Sequence, residues 1–207
     1  MWILTEGFGG RVLSRGGGLR AGAGPPFSAP SPRHPPEGPI LLPPMGLDED
    51  LLRAMRTKGH SPGLERAAKA LGKAGNNGAI WVVLCLVVLA FTDSNGEAWF
   101  ICALLAPIAI ALNYLIKLIV KRPRPVLEGL PPLGGAPSSL SFPSAHATSS
   151  FAVATAMTRV DAWGALAFVL AIALSLGRPY LGMHYPSDVL AGAVLGVVLG
   201  LIVPLSL

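Results

Sequence analysis

The chain has 207 residues, of which 52% are apolar and 13% are charged. Soluble domains usually carry about 25% charged residues, so the composition excludes an ordinary soluble protein and predicts one polytopic membrane domain with a tail. The formal net charge of +5 would suggest nucleic-acid binding in a soluble protein, but membrane topology explains it here and we expect no nucleic-acid partner. Cys85 and Cys102 lie in apolar runs without a CxxC pair, which predicts small core residues rather than a disulfide or a zinc site.

The N-terminal part divides into two segments of different composition. Residues 1–46 are rich in Gly, Pro, Arg and Ser and lack periodicity, which predicts a tail without a core. Translation starting at Met45 is an alternative reading. Residues 47–76 carry acidic residues first and then a broken apolar stripe with basic residues on its other faces. This pattern predicts two amphipathic helices at the membrane surface, interrupted at Ser61-Pro62-Gly63; a soluble helical hairpin is the alternative.

Residues 77–207 contain five apolar segments, at 78–92, 98–116, 145–157, 162–176 and 189–207. A full membrane span needs about 20 residues, so the shorter segments must extend into their flanks. In the last segment Gly192, Gly196 and Gly200 recur every fourth residue, which predicts a flat face for close helix contact. The predicted fold is an all-α membrane bundle of about five transmembrane helices, preceded by amphipathic interfacial helices.

Polar residues follow or precede these segments in three clusters, and simple alternation of the spans puts all three on one membrane face. The first cluster begins at Lys117, after the second segment. The second is Ser144-Ala145-His146, before the third segment, and the third contains Arg178, His184 and Asp188, between the fourth and fifth. Interfacial anchoring is the alternative for each residue separately, but anchors would be distributed over both faces.

The clusters contain cations suited to an anionic substrate. Lys117, Arg124 and Arg178 are predicted to surround one point, and arginine matches the geometry of phosphate oxygens. Ser144 is predicted to open a helix, whose free N–H groups and dipole bind anions.

The same clusters contain groups suited to acid–base and nucleophilic chemistry. His146 and His184 supply one nucleophile and one acid, and Asp188 stands close enough in sequence to fix a histidine tautomer. No residues show metal-ligand spacing. The set predicts a phosphoester hydrolase that uses neither a metal nor another cofactor.

These motifs resemble the signature of the type 2 phosphatidic acid phosphatases, K-x6-RP, PSGH and SR-x5-H-x3-D. This chain reads Lys117-x6-Arg124-Pro125, then PSAH at 143–146, then Gly177-Arg178-x5-His184-x3-Asp188. Arg122-Pro123 is out of register, because the seventh residue before Arg122 is a leucine. Ala145 stands where the family has glycine and Gly177 where it has serine. The resemblance covers about residues 77–205, and it divides the chain into tail (1–46), interfacial helices (47–76) and phosphatase domain (77–207).

The resemblance implies a role for each matching residue. His184 would attack phosphorus and form a phosphohistidine, Asp188 would hold and polarise it, and His146 would protonate the leaving group and then activate water. The implied phosphate-binding residues are Lys117, Arg124, Ser144, Ala145 and Arg178.

The implied substrate is a lipid phosphate whose head lies at the interface, with membrane lipids as the other partners. The residues around the second and third motifs resemble those of small actinobacterial members of the family. This resemblance implies decaprenylphosphoryl-5-phosphoribose as the lead substrate. Isoprenoid diphosphates and phosphatidate are alternatives, as is a non-catalytic lipid-binding membrane protein. The superfamily's haloperoxidases are soluble and larger, so five apolar segments disfavour that activity. Lysine and arginine accumulate on the side of the predicted site, which predicts a cytoplasmic active site in the plasma membrane.

Overall fold

The computed structural model describes residues 46–134 and 139–205, and within these ranges the regular structure is helical. The predicted tail therefore lies outside the described residues, apart from Gly46, where the first helix begins. The α-helices of the described part are α1 Gly46–Thr57, α2 Pro62–Ala74, α3 Ala79–Phe91, α4 Gly96–Val120, α5 Ala145–Val160, α6 Ala167–Tyr180 and α7 Pro186–Ile202, and short 3₁₀ helices cover Asn76–Gly78 and Ala162–Leu166.

Helix α5 lies at the centre of the bundle and packs against α4, α6 and α7. Its small side chains, with Ala152, Ala154 and Ala156 fully buried, let the surrounding helices approach closely. Polar side chains tie it to its neighbours: the Trp81 indole of α3 donates to the Ser150 hydroxyl at 2.9 Å, and the Asn113 amide of α4 donates to Thr148 Oγ1 at 2.9 Å. These two hydrogen bonds pair buried polar groups across helix contacts.

The glycine repeat of α7 forms the tightest helix contact. A Cβ placed at Gly192, Gly196 or Gly200 would lie 2.5–2.6 Å from a backbone carbonyl oxygen at the α5 side of the contact. No side chain fits at such distances, so the three glycines are what allows α7 to lie against α5. The predicted flat face is confirmed, and its partner is the helix that carries the PSAH motif.

Each of the five predicted apolar segments overlaps an α-helix, and large apolar side chains remain exposed on the outer faces, as contact with lipid requires. Among the described residues, Gly96–Val120 and Ala162–Tyr180 have the length and composition to cross a membrane. Pro62–Ala74 and Asn76–Phe91 qualify together as a third, with a bend of 55° between them. The all-helical membrane fold is confirmed, whereas the count of five crossings stays a prediction because α5 and α7 have only 16 and 17 residues.

Helices α1 and α2 pack against α6 at one end of the bundle. Arg56 of α1 donates to the carbonyl of Pro131 at 2.6 Å and to that of Tyr180 at 3.4 Å. Ser61 caps α2 by accepting from the Leu64 N–H at 3.2 Å, so the predicted break between the two helices is confirmed. Their position at a membrane surface stays a prediction.

Candidate active site

A cavity of about 150 Å³ opens at the end of the bundle where α4 and α6 finish and where α5 and α7 start. The alternation of helices therefore brings the three polar clusters together, as the sequence predicts. Asp188 and Ser144 have no exposed surface and lie behind the cavity wall rather than on it. The predicted site residues that line the cavity are Lys117, Arg124, Ala145, His146, Arg178 and His184.

His184 lies in the connection from α6 to α7 with only 3% of its surface exposed. Its Nε2 atom is 3.2 Å from Arg124 Nη1. Because a guanidinium can only donate, Nε2 accepts, and the ring proton of the neutral imidazole belongs on Nδ1. Nδ1 lies 3.5 Å from Asp188 Oδ2, longer than an ordinary hydrogen bond but in reach of small movements when substrate binds. The lone pair of Nε2 therefore points at Arg124, which lines the same cavity.

Burial lowers the pKa of His184 to about 3, and the hydrogen bond and charge of Asp188 oppose this shift. The imidazole is therefore neutral near pH 7, as a nucleophile must be. Burial also lowers the pKa of Arg124, again opposed by Asp188, but an arginine remains a cation at pH 7.

Asp188 is held by hydrogen bonds to both carboxylate oxygens. Oδ2 accepts from the Tyr185 backbone N–H at 2.8 Å and from the Ser141 hydroxyl, and Oδ1 accepts from Arg122 Nη1 at 2.8 Å. The bond from Tyr185 is part of a capping box at the start of α7. The helix start thus fixes the orientation of the carboxylate beside His184.

Arg122 is the residue of this site that the motif register missed. Its side chain is 3% exposed, and its guanidinium lies 4.1 Å from the centre of the Tyr185 ring. Besides Asp188 it bonds the Asp48 carboxylate of α1, with Nη2 at 2.7 Å from Oδ2. The sequence signal that could have indicated this residue is the pair of arginines in KRPRP at 121–125. The motif spacing assigns Arg124 to the phosphate and gives Arg122 no role.

Lys117 and Arg124 are fixed by backbone carbonyls around the cavity. Lys117 Nζ donates to the carbonyl of Leu140 at 2.6 Å and to that of Ser141 at 3.2 Å. Arg124 donates to the carbonyls of Met183 at 2.6 Å and Ser139 at 2.8 Å. Neutral oxygens hold these cations in position without cancelling their charge, so the charge is available to a phosphate.

Arg178 differs from these two cations. It is 6% exposed, its Nε atom is buried without a hydrogen-bond partner, and its guanidinium makes no hydrogen bond to any residue in 46–134 or 139–205. No acidic side chain from those ranges lines the cavity. A buried, unpaired cation in a wall without carboxylates is a strong electrostatic reason for an anion to bind there.

His146 begins α5 and reaches across to α2. Its Nε2 atom is 3.0 Å from the carbonyl oxygen of Gly72, which accepts a proton carried on that nitrogen. A Cβ at Gly75 would lie 3.0 Å from His146 Cδ2, so the absence of a side chain at Gly75 leaves room for this approach. Asn76 and Asn77 line the cavity next to it. The site thus crosses the predicted boundary at residue 76, which the motifs of the downstream domain could not indicate.

The backbone of Ser144 joins the second and third motifs. Its N–H donates to the Asp188 carbonyl at 3.0 Å, and helix α5 starts at the next residue, as predicted. The Ser144 hydroxyl has no partner among the described residues.

Over the same residues, no group of three or more His, Cys, Asp or Glu side chains could hold a metal ion.

A helical membrane bundle with cations and two histidines around a small cavity at its polar end defines an integral membrane phosphatase. The model of the PAP2 superfamily matches residues 96–207, and the chain belongs to that superfamily. It is 38% identical over 142 residues to the decaprenylphosphoryl-5-phosphoribose phosphatase of Mycobacterium tuberculosis, which covers 69% of this chain and 80% of the relative.

Two further proteins are similar to it. The chain is 31% identical over 125 residues to the undecaprenyl-diphosphatase BcrC of Bacillus subtilis, covering 58% of this chain and 64% of the relative. The crystal structure of Aquifex aeolicus LpxE superposes with a TM-score of 0.61 at 23% identity, covering 75% of this chain and 93% of that one. The structural likeness shows the fold alone.

Proposed function

We propose that this phosphatase removes the terminal phosphate of a polyprenylphosphoryl-5-phosphoribose, with decaprenylphosphoryl-5-phosphoribose as the lead substrate. The observation that carries the proposal is the cavity lined by His184, His146 and three cations, in a chain that is 38% identical over 142 residues to a phosphatase named for that substrate. A lipid phosphate presents its head at the interface, where the polar end of the bundle lies.

In the proposed reaction, Nε2 of His184 attacks phosphorus while the bond from phosphorus to the sugar oxygen breaks. His146, as an imidazolium, gives a proton to that oxygen and becomes neutral, and Asp188 stabilises the positive charge on the phosphorylated ring of His184. His146 then takes a proton from water as the water attacks the phosphohistidine, which releases phosphate and restores both histidines. Lys117, Arg124, Arg178 and the Ala145 N–H at the start of α5 bind the phosphate oxygens through the transition state. Ser144 lies behind the cavity wall, and its N–H, which donates to the Asp188 carbonyl, holds this helix start in place instead of binding the phosphate as predicted.

A screen of phosphate release by the purified protein tests this proposal. The substrates are decaprenylphosphoryl-5-phosphoribose, undecaprenyl diphosphate, decaprenyl monophosphate and phosphatidate, each measured with and without EDTA. We expect the phosphoribosyl lipid to show the highest kcat/KM, by about tenfold or more, and chelation to leave the rate unchanged. The highest kcat/KM on undecaprenyl diphosphate would instead favour the second candidate, an isoprenoid diphosphatase, which the likeness to the Bacillus subtilis relative supports. A rate lost to EDTA and restored by magnesium would contradict the metal-independent mechanism.

We also propose that the active site faces the cytoplasm and that the chain crosses the plasma membrane five times. Apart from the tail and the predicted catalytic cations, eight Lys and Arg residues belong to the active-site side and Arg159 alone to the other. Six of the eight lie between Arg53 and Lys73, next to the first apolar segment, where basic residues orient a membrane protein most strongly. Electrostatic attraction to an anionic inner leaflet would stabilise this orientation by about 1 kcal/mol per basic residue near the surface.

This orientation places the C-terminus outside the cell. We expect alkaline phosphatase fused after Leu207 to be active, and a fluorescent protein fused at the same position to be dark. A matched pair of fusions after Gly129, in the loop between α4 and α5, should give the opposite result. A bright fluorescent protein at the C-terminus would mean an even number of crossings or the opposite orientation.

A further inference from the structure

A second cavity, of about 440 Å³, adjoins the active-site cavity. The two cavities share Arg178 and Asn76 in their walls. We name the second one the α2 cavity, because α2 supplies its two lysines. Its lining includes Lys69, Lys73, Asn76, Arg178, Leu181 and Met183.

The α2 cavity is basic. Lys69, Lys73 and Arg178 line it, and no carboxylate from the described part of the chain does. Lys69 bonds Glu65, which lies one turn earlier on α2, at 2.5 Å, and 41% of its side chain is exposed. Lys73 is exposed and no acidic side chain lies within ion-pair distance of it among residues 46–134 and 139–205. The Lys73 ammonium is therefore free to turn toward a bound anion, and Lys69 can do so by exchanging its exposed contact with Glu65 for that anion.

Arg178 stands between the two cavities. Its Nη1 atom lies 2.8 Å from the position that a Cβ would take at Gly72, so the guanidinium packs directly against the backbone of α2. Because it is buried and makes no hydrogen bond within the described residues, its donors are available to anions on both sides. A single phosphate bound beside His184 would not occupy the α2 cavity, and Lys69 and Lys73 would then contact no substrate anion.

Building on the proposed function, we propose that the α2 cavity binds a second phosphate of the same substrate, the phosphodiester that joins the pentose to the lipid. In a phosphoribosyl lipid the whole pentose separates the two phosphates, whereas a single oxygen bridges the phosphorus atoms of a diphosphate. Two adjoining basic cavities match the longer separation. The Asn76 amide lies where both walls meet and can bond pentose hydroxyls, while Leu181 and Met183 give an apolar surface for the first part of the lipid chain.

The test compares two double variants of the full-length protein. Lys69→Gln with Lys73→Gln removes both lysines from the α2 cavity. Lys58→Gln with Arg66→Gln removes two exposed basic residues from the same N-terminal region, neither of which lines either cavity, and so controls for lost attraction to anionic lipid. We expect the first pair to raise the KM for decaprenylphosphoryl-5-phosphoribose about tenfold or more with kcat retained, since a tenfold change corresponds to the loss of one charge-assisted contact. The KM for ribose 5-phosphate, which lacks the phosphodiester, should not change.

A second measurement separates failure of this inference from failure of the proposed function. Decaprenylphosphoryl-ribose, which has the phosphodiester but no 5-phosphate, should inhibit hydrolysis of whichever lipid the wild type cleaves best, and decaprenol should not. The lysine pair of substitutions should weaken this inhibition about tenfold, and the control pair should leave it unchanged. Inhibition of this kind supports the site even if the preferred substrate is another lipid phosphate. Absence of inhibition in the wild type, or an equal effect of both pairs, would overturn it.

Discussion

Replacing His184 with alanine is expected to abolish phosphate release, with a loss of at least about a thousandfold in kcat. The reason is that Nε2 of His184 carries the lone pair of the imidazole beside the cavity cations, since Arg124 donates to it and Asp188 stands at the other ring nitrogen. Burial lowers the pKa of this imidazole to about 3, so the wild-type nucleophile is unprotonated throughout the pH range from 5 to 8. The measurement is phosphate release on the lipid substrate by the purified variant.

The control for this experiment is His60→Ala. His60 stacks on the Tyr180 ring at 4.0 Å between centroids and does not line the active-site cavity, so its loss removes a histidine outside the site. We expect that variant to keep most of the wild-type rate. Thermal unfolding of both variants shows whether they are folded. A folded His184→Ala protein that retained more than a small share of turnover would mean that another group attacks phosphorus.

Replacing His146 with alanine is expected to slow hydrolysis of the lipid phosphate about a hundredfold to ten-thousandfold, the range typical of a lost general acid–base group. The sugar oxygen is a poor leaving group and needs a proton from the imidazolium form of His146, whose Nε2 atom lies 3.0 Å from the Gly72 carbonyl oxygen in the free enzyme. With p-nitrophenyl phosphate the leaving group departs without a proton, so the first step should be much less affected. The second step still needs a base to activate water.

The variant should therefore release p-nitrophenol in a burst and accumulate a phosphoenzyme. The phosphoenzyme is measured as acid-labile phosphate bound to the protein after rapid quenching. Peptide mapping under alkaline conditions should locate this phosphate on His184. The variant that lacks both histidines should show neither burst nor label. If His146→Ala slowed both substrates by the same factor, without a burst, His146 would act on binding rather than on proton transfer.

Much of this site could be predicted from the sequence because its motifs are local. The spacing Arg178-x5-His184-x3-Asp188 places the histidine just before a helix and the aspartate in its first turn, where a capping box holds it. The spacing of Gly192, Gly196 and Gly200 predicted a flat helix face, and this face of α7 lies against α5. Helix ends were less predictable. The apolar segment ends at residue 116, but α4 continues to Val120. Lys117 therefore lies in the last turn of the helix, where it is buried.

The sequence by itself thus determined the helical membrane fold, the convergence of the three motifs and the identity of the chemical groups, since periodicity and alternation of spans are properties of neighbouring residues. Only the tertiary structure decided which contacts each arginine of the KRPRP run makes. Arg122 and Arg124 are two residues apart, yet one binds Asp48 and Asp188 while the other contacts His184. The structure also placed α2 against the site. These contacts join residues that are 60 or more positions apart, and packing of the whole bundle selects them rather than any local spacing.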